Sequence, residues 1–275
     1  LTEVKKIRIA LIDLYNNEEN RDIGCIENIL RSSDRLYDNI PVGYEIYNTR
    51  YSGTAPDSGY DIYISSGGPG SPWDGSGSRW ESAYFSLLDS IWSHNQNEES
   101  KKYFFFICHS FQMMTRYFKL GDVVKKNKES FGIVPVVKTP AGEGDLLLEG
   151  LGNPFYAADF RNWQAVNPDL KMFGELGAQI LSVEAGSSGT SSEQAMMAIR
   201  ISKEFAGTQF HPEIDAANMR QYLSLPVGKN LIINNYGERK YNEMLDLAGD
   251  PAGIMLTHKV ILPNFLRDAI KKLRF

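Results

Sequence analysis

Three short segments of the 275-residue chain carry side chains whose types and spacing suit nucleophilic chemistry. Cys108 follows the aromatic run YFFFI (Tyr103 to Ile107) and precedes FQMMTRYF, a stretch of helical character. A thiol between a buried strand and a helix sits on a tight turn at the carboxyl edge of a sheet. The N-terminus of the following helix then lies beside the sulfur, a setting that suits a thiolate. Gln209-Phe210-His211-Pro212-Glu213 closes a later β-like run. An imidazole two residues before a carboxylate can take a thiol proton and return it to a leaving amine, while the carboxylate orients the ring. The third segment, Ser65-Ser66-Gly67-Gly68-Pro69-Gly70, directly follows the β-rich run YDIYISS. Its glycines let the backbone approach a substrate and aim an N–H at a developing oxyanion. Each piece has an ordinary reading as well: a cysteine at a strand end is commonly a small core residue, a histidine before Pro-Glu can simply open a helix, and Gly-Pro loops are widespread.

These segments need elements to hold them. Ile7 to Asp13 (IRIALID) suits a buried parallel strand, and Asp22 to Leu30 has helical spacing, with Asp22 offered as its N-cap. Val42 to Tyr47 alternates. Gly67 to Ser78, with five glycines and two prolines, reads as loop, and Arg79 to Trp92 as helix. This alternation of strand and helix predicts a doubly wound, mostly parallel sheet. After Gly121 the texture changes. Short β-like runs at Val123, Ile133 to Val137, Phe155 to Asp159, Ile180 to Glu184, Met196 to Ile201 and Glu204 to Gln209 predict an antiparallel extension. Beyond Glu213 the pattern is helical over Ala216 to Leu223, Glu238 to Ala248 and Asn264 to Leu273, punctuated by Pro226, Pro251 and Pro263. The division expected is residues 1–215 as the main domain, with 216–275 a helical extension packed on it, since roughly 60 residues make a marginal core alone.

Composition narrows the partners. A net charge of −5 and a pI near 5.5 disfavour a broad nucleic-acid surface. No run reaches the ~18 apolar residues of a membrane span. The two cysteines, Cys25 and Cys108, have no metal-like spacing, and zinc, Walker and dinucleotide fingerprints are missing, so neither metal nor nucleotide cofactor is suggested. The expected location is the cytoplasm.

In order, strand–SGGPG–helix, strand–Cys-x-x-x-Gln and QFHPE together resemble the class I, or triad, glutamine amidotransferase family. Leu120 to Val124, Ser130-Phe131-Gly132 and Leu147 to Leu151 also sit where that family has similar runs, and the resemblance covers roughly residues 7–215. Within the family the chain resembles GMP-synthase-like stand-alone amidotransferases. The resemblance implies a flavodoxin-like α/β fold and a cysteinyl thioester mechanism that releases ammonia and glutamate from glutamine. It assigns Cys108 as nucleophile, His211 as base and acid, and Glu213 as orienter. Backbone groups near Gly67, Gly68 and His109 would bind the oxyanion, and Gln112 the substrate. The substrate would be glutamine or a γ-glutamyl compound. A separate synthetase subunit would consume any ammonia used in synthesis, because this chain has no synthetase region.

Two positions depart from the family's Gly-x-Cys-x-Gly-x-Gln elbow, which here reads Phe106-Ile107-Cys108-His109-Ser110-Phe111-Gln112. Phe106 is expected to enter space the family leaves open and so reshape the glutamine pocket. Arg161 lies where relatives have a histidine nearby, and an exposed salt bridge is its expected use, with carboxylate binding the sharper alternative. His109 resembles the adjacent histidine of a peptidase branch, but QFHPE supplies the better His-Glu pair. The alternatives to glutamine hydrolysis are a γ-glutamyl hydrolase or acyl transferase on the same triad, and a catalytically silent binding module.

Overall fold

The apolar runs become the centre of one nine-stranded sheet in a computed structural model that describes residues 6–18, 20–32, 40–186, 194–250 and 253–274. In chain order the strands are β1 (Ile7–Ile12), β2 (Val42–Tyr47), β3 (Ile62–Ser65), β4 (Tyr103–Ile107) and β5 (Asp122–Lys138). They continue with β6 (Phe155–Val166), β7 (Gln179–Glu184), β8 (Met196–Arg200) and β9 (Phe205–Thr208). The spatial order is β2-β1-β3-β4-β9-β8-β7-β5-β6. The first five of these run parallel, and antiparallel pairing carries the sheet on from β9. The run Glu204 to Gln209, expected in the antiparallel extension, is therefore the seam: β9 is parallel to β4 and antiparallel to β8.

Helices cover both faces of the parallel part, which is why its strands are apolar on both sides. Alternate residues of β4 separate cleanly. Tyr103, Phe105 and Ile107 pack with helix α1 (Arg21–Ser32), whereas Phe104 and Phe106 face the opposite core. After the short α2 (Thr49–Ser52), that opposite core is closed by α3 (Arg79–Asn97) and α4 (His109–Tyr117). A one-residue slip of β4 would exchange its two faces, so the fully buried Phe104, Phe105 and Phe106 pin the register that places Cys108.

Two short helices, α5 (Pro140–Glu143) and α6 (Leu170–Leu176), precede a C-terminal group: α7 (Ala216–Ser224), α8 (Pro226–Tyr236), α9 (Glu238–Gly249) and α10 (Ile254–Leu273). Met219, Leu223, Ile232, Tyr241 and Met244 from the first three form a cluster with Ile133 of β5 and Ala158 of β6. The last helix instead joins the main core, where Phe265 packs on Phe105 with ring centroids 5.0 Å apart. The prolines mark these helices differently from the sequence expectation. Pro226 occupies the first turn of α8, where its missing N–H costs nothing, and Pro263 lies inside α10, which starts ten residues before Asn264. Pro251 lies outside the described residues. Among the described residues no helix is long and apolar enough to cross a membrane.

Candidate active site

Cys108 joins β4 to α4 with φ 49° and ψ −100°, outside the ordinary backbone regions for a residue with a Cβ. Such strain costs on the order of 1–3 kcal/mol and persists where neighbours over-determine it. Here the Cys108 N–H donates to the Thr208 carbonyl at 2.9 Å, and the Gln112 N–H donates to the Cys108 carbonyl at 3.0 Å. Ser110 adds a tie. Its Oγ accepts from the Ile107 N–H at 2.8 Å and donates to the Ser65 carbonyl at 2.8 Å, linking the elbow to the start of the SGGPG loop. Serine in place of the family glycine thus contributes a fastening.

Phe106 does not reshape the site. Its ring is fully buried on the far face of β4, stacked on Phe104 at 4.2 Å. Space is made by Gly207, its partner on β9, where a Cβ would lie 2.8 Å from the Phe106 Cβ and 2.7 Å from its carbonyl oxygen. The glycine missing from the elbow is supplied by the neighbouring strand.

His211 and Glu213 follow β9 and are held over the elbow by β6: the His211 N–H donates to the Ala158 carbonyl at 2.8 Å. On one edge, the His211 Nδ1 is 2.7 Å from Glu213 Oε1. On another, the imidazole lies beside the Cys108 thiol, which favours a charge on the ring. Burial works against a charge on this ring, but the Glu213 carboxylate and Cys108 outweigh it and hold His211 well above its ordinary value. Burial pushes the Glu213 carboxyl up while the His211 charge draws it down. All three side chains are buried, with Cys108 and His211 6% exposed and Glu213 at 0%.

A second carboxylate stands beside this pair. Asp22 Oδ2 is 3.6 Å from His211 Nδ1 and accepts a 2.7 Å hydrogen bond from the Tyr15 hydroxyl. The sequence offered Asp22 as the cap of α1. The cap is Asn20, whose Oδ1 accepts from the N–H groups of Asp22 at 2.9 Å and Ile23 at 3.3 Å. That leaves the Asp22 side chain for the site. Burial and the Asp22 charge push the Tyr15 phenol far up, so it remains a donor. Among the described residues, Asp22, His211 and Glu213 are the one cluster able to offer three metal-ligand atoms, all within 4.8 Å of one another. With the imidazole already shared between Glu213 and Cys108, the chemistry of the cluster is that of proton handling.

The loop residues named from sequence are also in place. A Cβ at Gly67 would come within 2.8 Å of His211 Cε1 and 3.6 Å of Cys108 Cβ, and one at Gly68 within 2.6 Å of the Leu14 carbonyl oxygen. Arg50 clamps the loop through the Pro69 carbonyl at 2.6 Å. The His109 ring bonds to the Gly68 backbone, and burial, with Arg50 adding repulsion, lowers its pKa to about 3. His109 is thus a neutral brace, while its own N–H, at the first helical position, has no intrahelical partner. Gln112 donates from Nε2 to the Trp163 carbonyl at 2.9 Å and ties α4 to β6 beside the elbow. Arg161 differs from expectation: its salt bridges are buried, to Asp159 at 2.9 Å and Glu184 at 3.0 Å, with the side chain 1% exposed. Asp22 and Tyr15 were missed because no local pattern separates a capping acid from one turned toward a site.

These features coincide with a known class. The model of the class-I glutamine amidotransferase family matches residues 22–224, and the chain belongs to that family. Comparison with curated protein sequences gives no match. Among solved structures, a glutamine amidotransferase from Thermotoga maritima is 18% identical, with a TM-score of 0.64 over 98% of each chain. The CTPS glutaminase domain of Trypanosoma brucei with bound acivicin is 12% identical, with a TM-score of 0.57 over 76% of this chain and 87% of that one. A candidate GMP synthase subunit from Thermoplasma acidophilum is 15% identical, with a TM-score of 0.50 over 86% and 94%. At these identities the likeness is one of fold.

Proposed function

We propose that the protein hydrolyses the side-chain amide of glutamine or of a γ-glutamyl compound through a thioester on Cys108. The observation that carries this reading is the chain of contacts from the Cys108 thiol to His211 and from its Nδ1 to Glu213 at 2.7 Å. The thiolate attacks the γ-carbonyl carbon, and the oxyanion is met by backbone N–H groups of Gly68 and His109. The carbon–nitrogen bond breaks as His211 gives its proton to the departing nitrogen. His211 then takes a proton from water, which attacks the thioester, and the glutamyl acid leaves as Cys108 is regenerated. Glu213 holds the ring in the orientation both steps need. Gln112 contributes by fixing the β6 backbone against the elbow. Ammonia set free from glutamine would be consumed by a separate synthetase subunit.

The test is glutamate release from L-glutamine and from γ-glutamyl peptides, compared with Cys108→Ala. Loss of at least three orders of magnitude in kcat is expected in the variant, since binding groups alone do not replace the nucleophile. Turnover that survives in Cys108→Ala, or no glutamate from any of these amides, would overturn the assignment.

A further inference from the structure

A cavity of about 720 Å³ lies between α1, the β5–β6 pair and α7 and reaches the triad only through its neighbours Asp22 and Phe160. Its walls are Phe131, Phe160, Met219, Tyr222 and Leu225, and Asp22 lies among them as a buried carboxylate. Two of these residues also belong to the active site. Asp22 Oδ2 is 3.6 Å from His211 Nδ1, and the Phe160 ring centroid is 6.2 Å from that of the imidazole. The cavity and the catalytic base thus share a wall.

His211 gives its proton to the departing nitrogen, so the leaving amine is released at the imidazole. Ammonia needs none of the volume next to it: cavities of roughly 300–1,000 Å³ are the size that encloses a whole organic ligand. The lining also suits an organic body better than ammonia: apolar side chains such as Phe131, Phe160 and Met219 dominate it, with Arg21, Glu27 and Asn218 among its polar members, and of its two acids Asp22 is the one beside His211. From this we infer that the preferred substrates are γ-glutamyl amides of amines with an aromatic or branched aliphatic body, seated with that body in the cavity. The inference rests on the thioester reading of Cys108. The balance is that of hydrolysis: amide plus water gives the glutamyl acid and the free amine, with no redox partner. The released amine takes up a proton, and Asp22, hydrogen-bonded by Tyr15, is a carboxylate it meets in the cavity.

Gly24 offers a way to fill the cavity. It lies on α1 among the lining residues, and a Cβ built there meets no atom within 4 Å. A larger side chain can therefore enter from a helical position where glycine is itself unfavourable. The experiment compares kcat/KM for L-glutamine and for γ-glutamyl benzylamide in the wild type, Gly24→Phe and the control Gly24→Ala, which strengthens the helix without filling the space. The benzylamide should exceed glutamine at least tenfold in the wild type and in Gly24→Ala. In Gly24→Phe that ratio should fall at least tenfold. Equal or better use of glutamine by the wild type, or a ratio unmoved by Gly24→Phe, overturns the inference while leaving the thioester reading intact. Failure of both amides in the wild type overturns this inference, and failure of the γ-glutamyl peptides as well removes the thioester reading with it. If Gly24→Phe does not fold, Tyr222→Trp, which adds bulk from the opposite wall, gives the same comparison and must lower the same ratio.

Discussion

The two sides of the Cys108 thiol are built to different standards. Behind it, Phe104, Phe106 and Phe111 are fully buried, and Gly207 meets Phe106 with no room for a Cβ. In front of it, Asp22, 3.6 Å from His211 Nδ1, lines an open cavity. A strained nucleophile needs a close-packed support, because a backbone held at φ 49° relaxes wherever its neighbours yield. A base that must release a product needs the reverse, a fixed ring next to free volume. The difference teaches that, under the proposed mechanism, stability and turnover reside in separate residues, so substitutions on the two sides should produce separable defects.

The largest effect belongs on the open side. Glu213→Gln keeps the size of the side chain but removes the charge that holds His211 above its ordinary value. We expect kcat to fall about a hundredfold or more, about 2.7 kcal/mol in barrier height, with little change in KM. The alkaline limb of the pH–rate profile should move to lower pH. Stability shifts in a defined sense too. A histidine raised above its unfolded value, about 6.5, stabilises the fold fully below that pH and loses the contribution as pH rises through the folded value. That alkaline loss should shrink in the variant. A wild-type rate profile in Glu213→Gln would remove Glu213 from the mechanism.

Next in size is a defect on the packed side. Gly207→Ala forces a Cβ to 2.7 Å from the Phe106 carbonyl oxygen and 2.8 Å from its Cβ, and neither atom is the free end of a side chain. Overpacking of this kind costs about 1–3 kcal/mol, to be read as a lowered urea midpoint. The glutaminase rate per folded molecule should change far less than in Glu213→Gln. If the rate collapses while the urea midpoint holds, the separation between the two sides is wrong.

What the sequence disclosed follows the same division. Cys108, His211, Glu213 and the Gly67-Gly68 loop could be picked out as a candidate site because each is marked by neighbours within a few residues: a strand before the thiol, a carboxylate two places after the histidine, glycines after a strand. Phe106 was misjudged because the residue that accommodates it, Gly207, is its neighbour only through β4–β9 pairing. Asp22 was taken for a cap because the capping role lies two residues earlier, at Asn20, and both are plausible N-cap types. Arg161 was expected at the surface because the partners that bury it, Asp159 and Glu184, lie on β6 and β7, strands that meet only through β5. The helix α8 and the early start of α10 were hidden by prolines, which stop a helix in its interior yet open one freely.

The mildest test concerns His109, next to the proposed nucleophile and not its base in the proposed mechanism. His109 is buried, its pKa is lowered to about 3, and it braces the Gly68 backbone. Because the folded value lies below the unfolded one, about 6.5, its contribution is present above pH 6.5 and is lost as pH falls toward 3. Within that window one such group lowers stability by up to about 1.4 kcal/mol per pH unit. His109→Gln retains an N–H donor for the Gly68 carbonyl but cannot titrate. Urea unfolding between pH 7 and 4 should therefore show a shallower acid slope in the variant, with glutamate release close to wild type. An unchanged acid slope would mean that His109 is not the buried neutral ring; an activity loss as large as that of Glu213→Gln would make it a second base and dissolve the contrast between the two sides of Cys108.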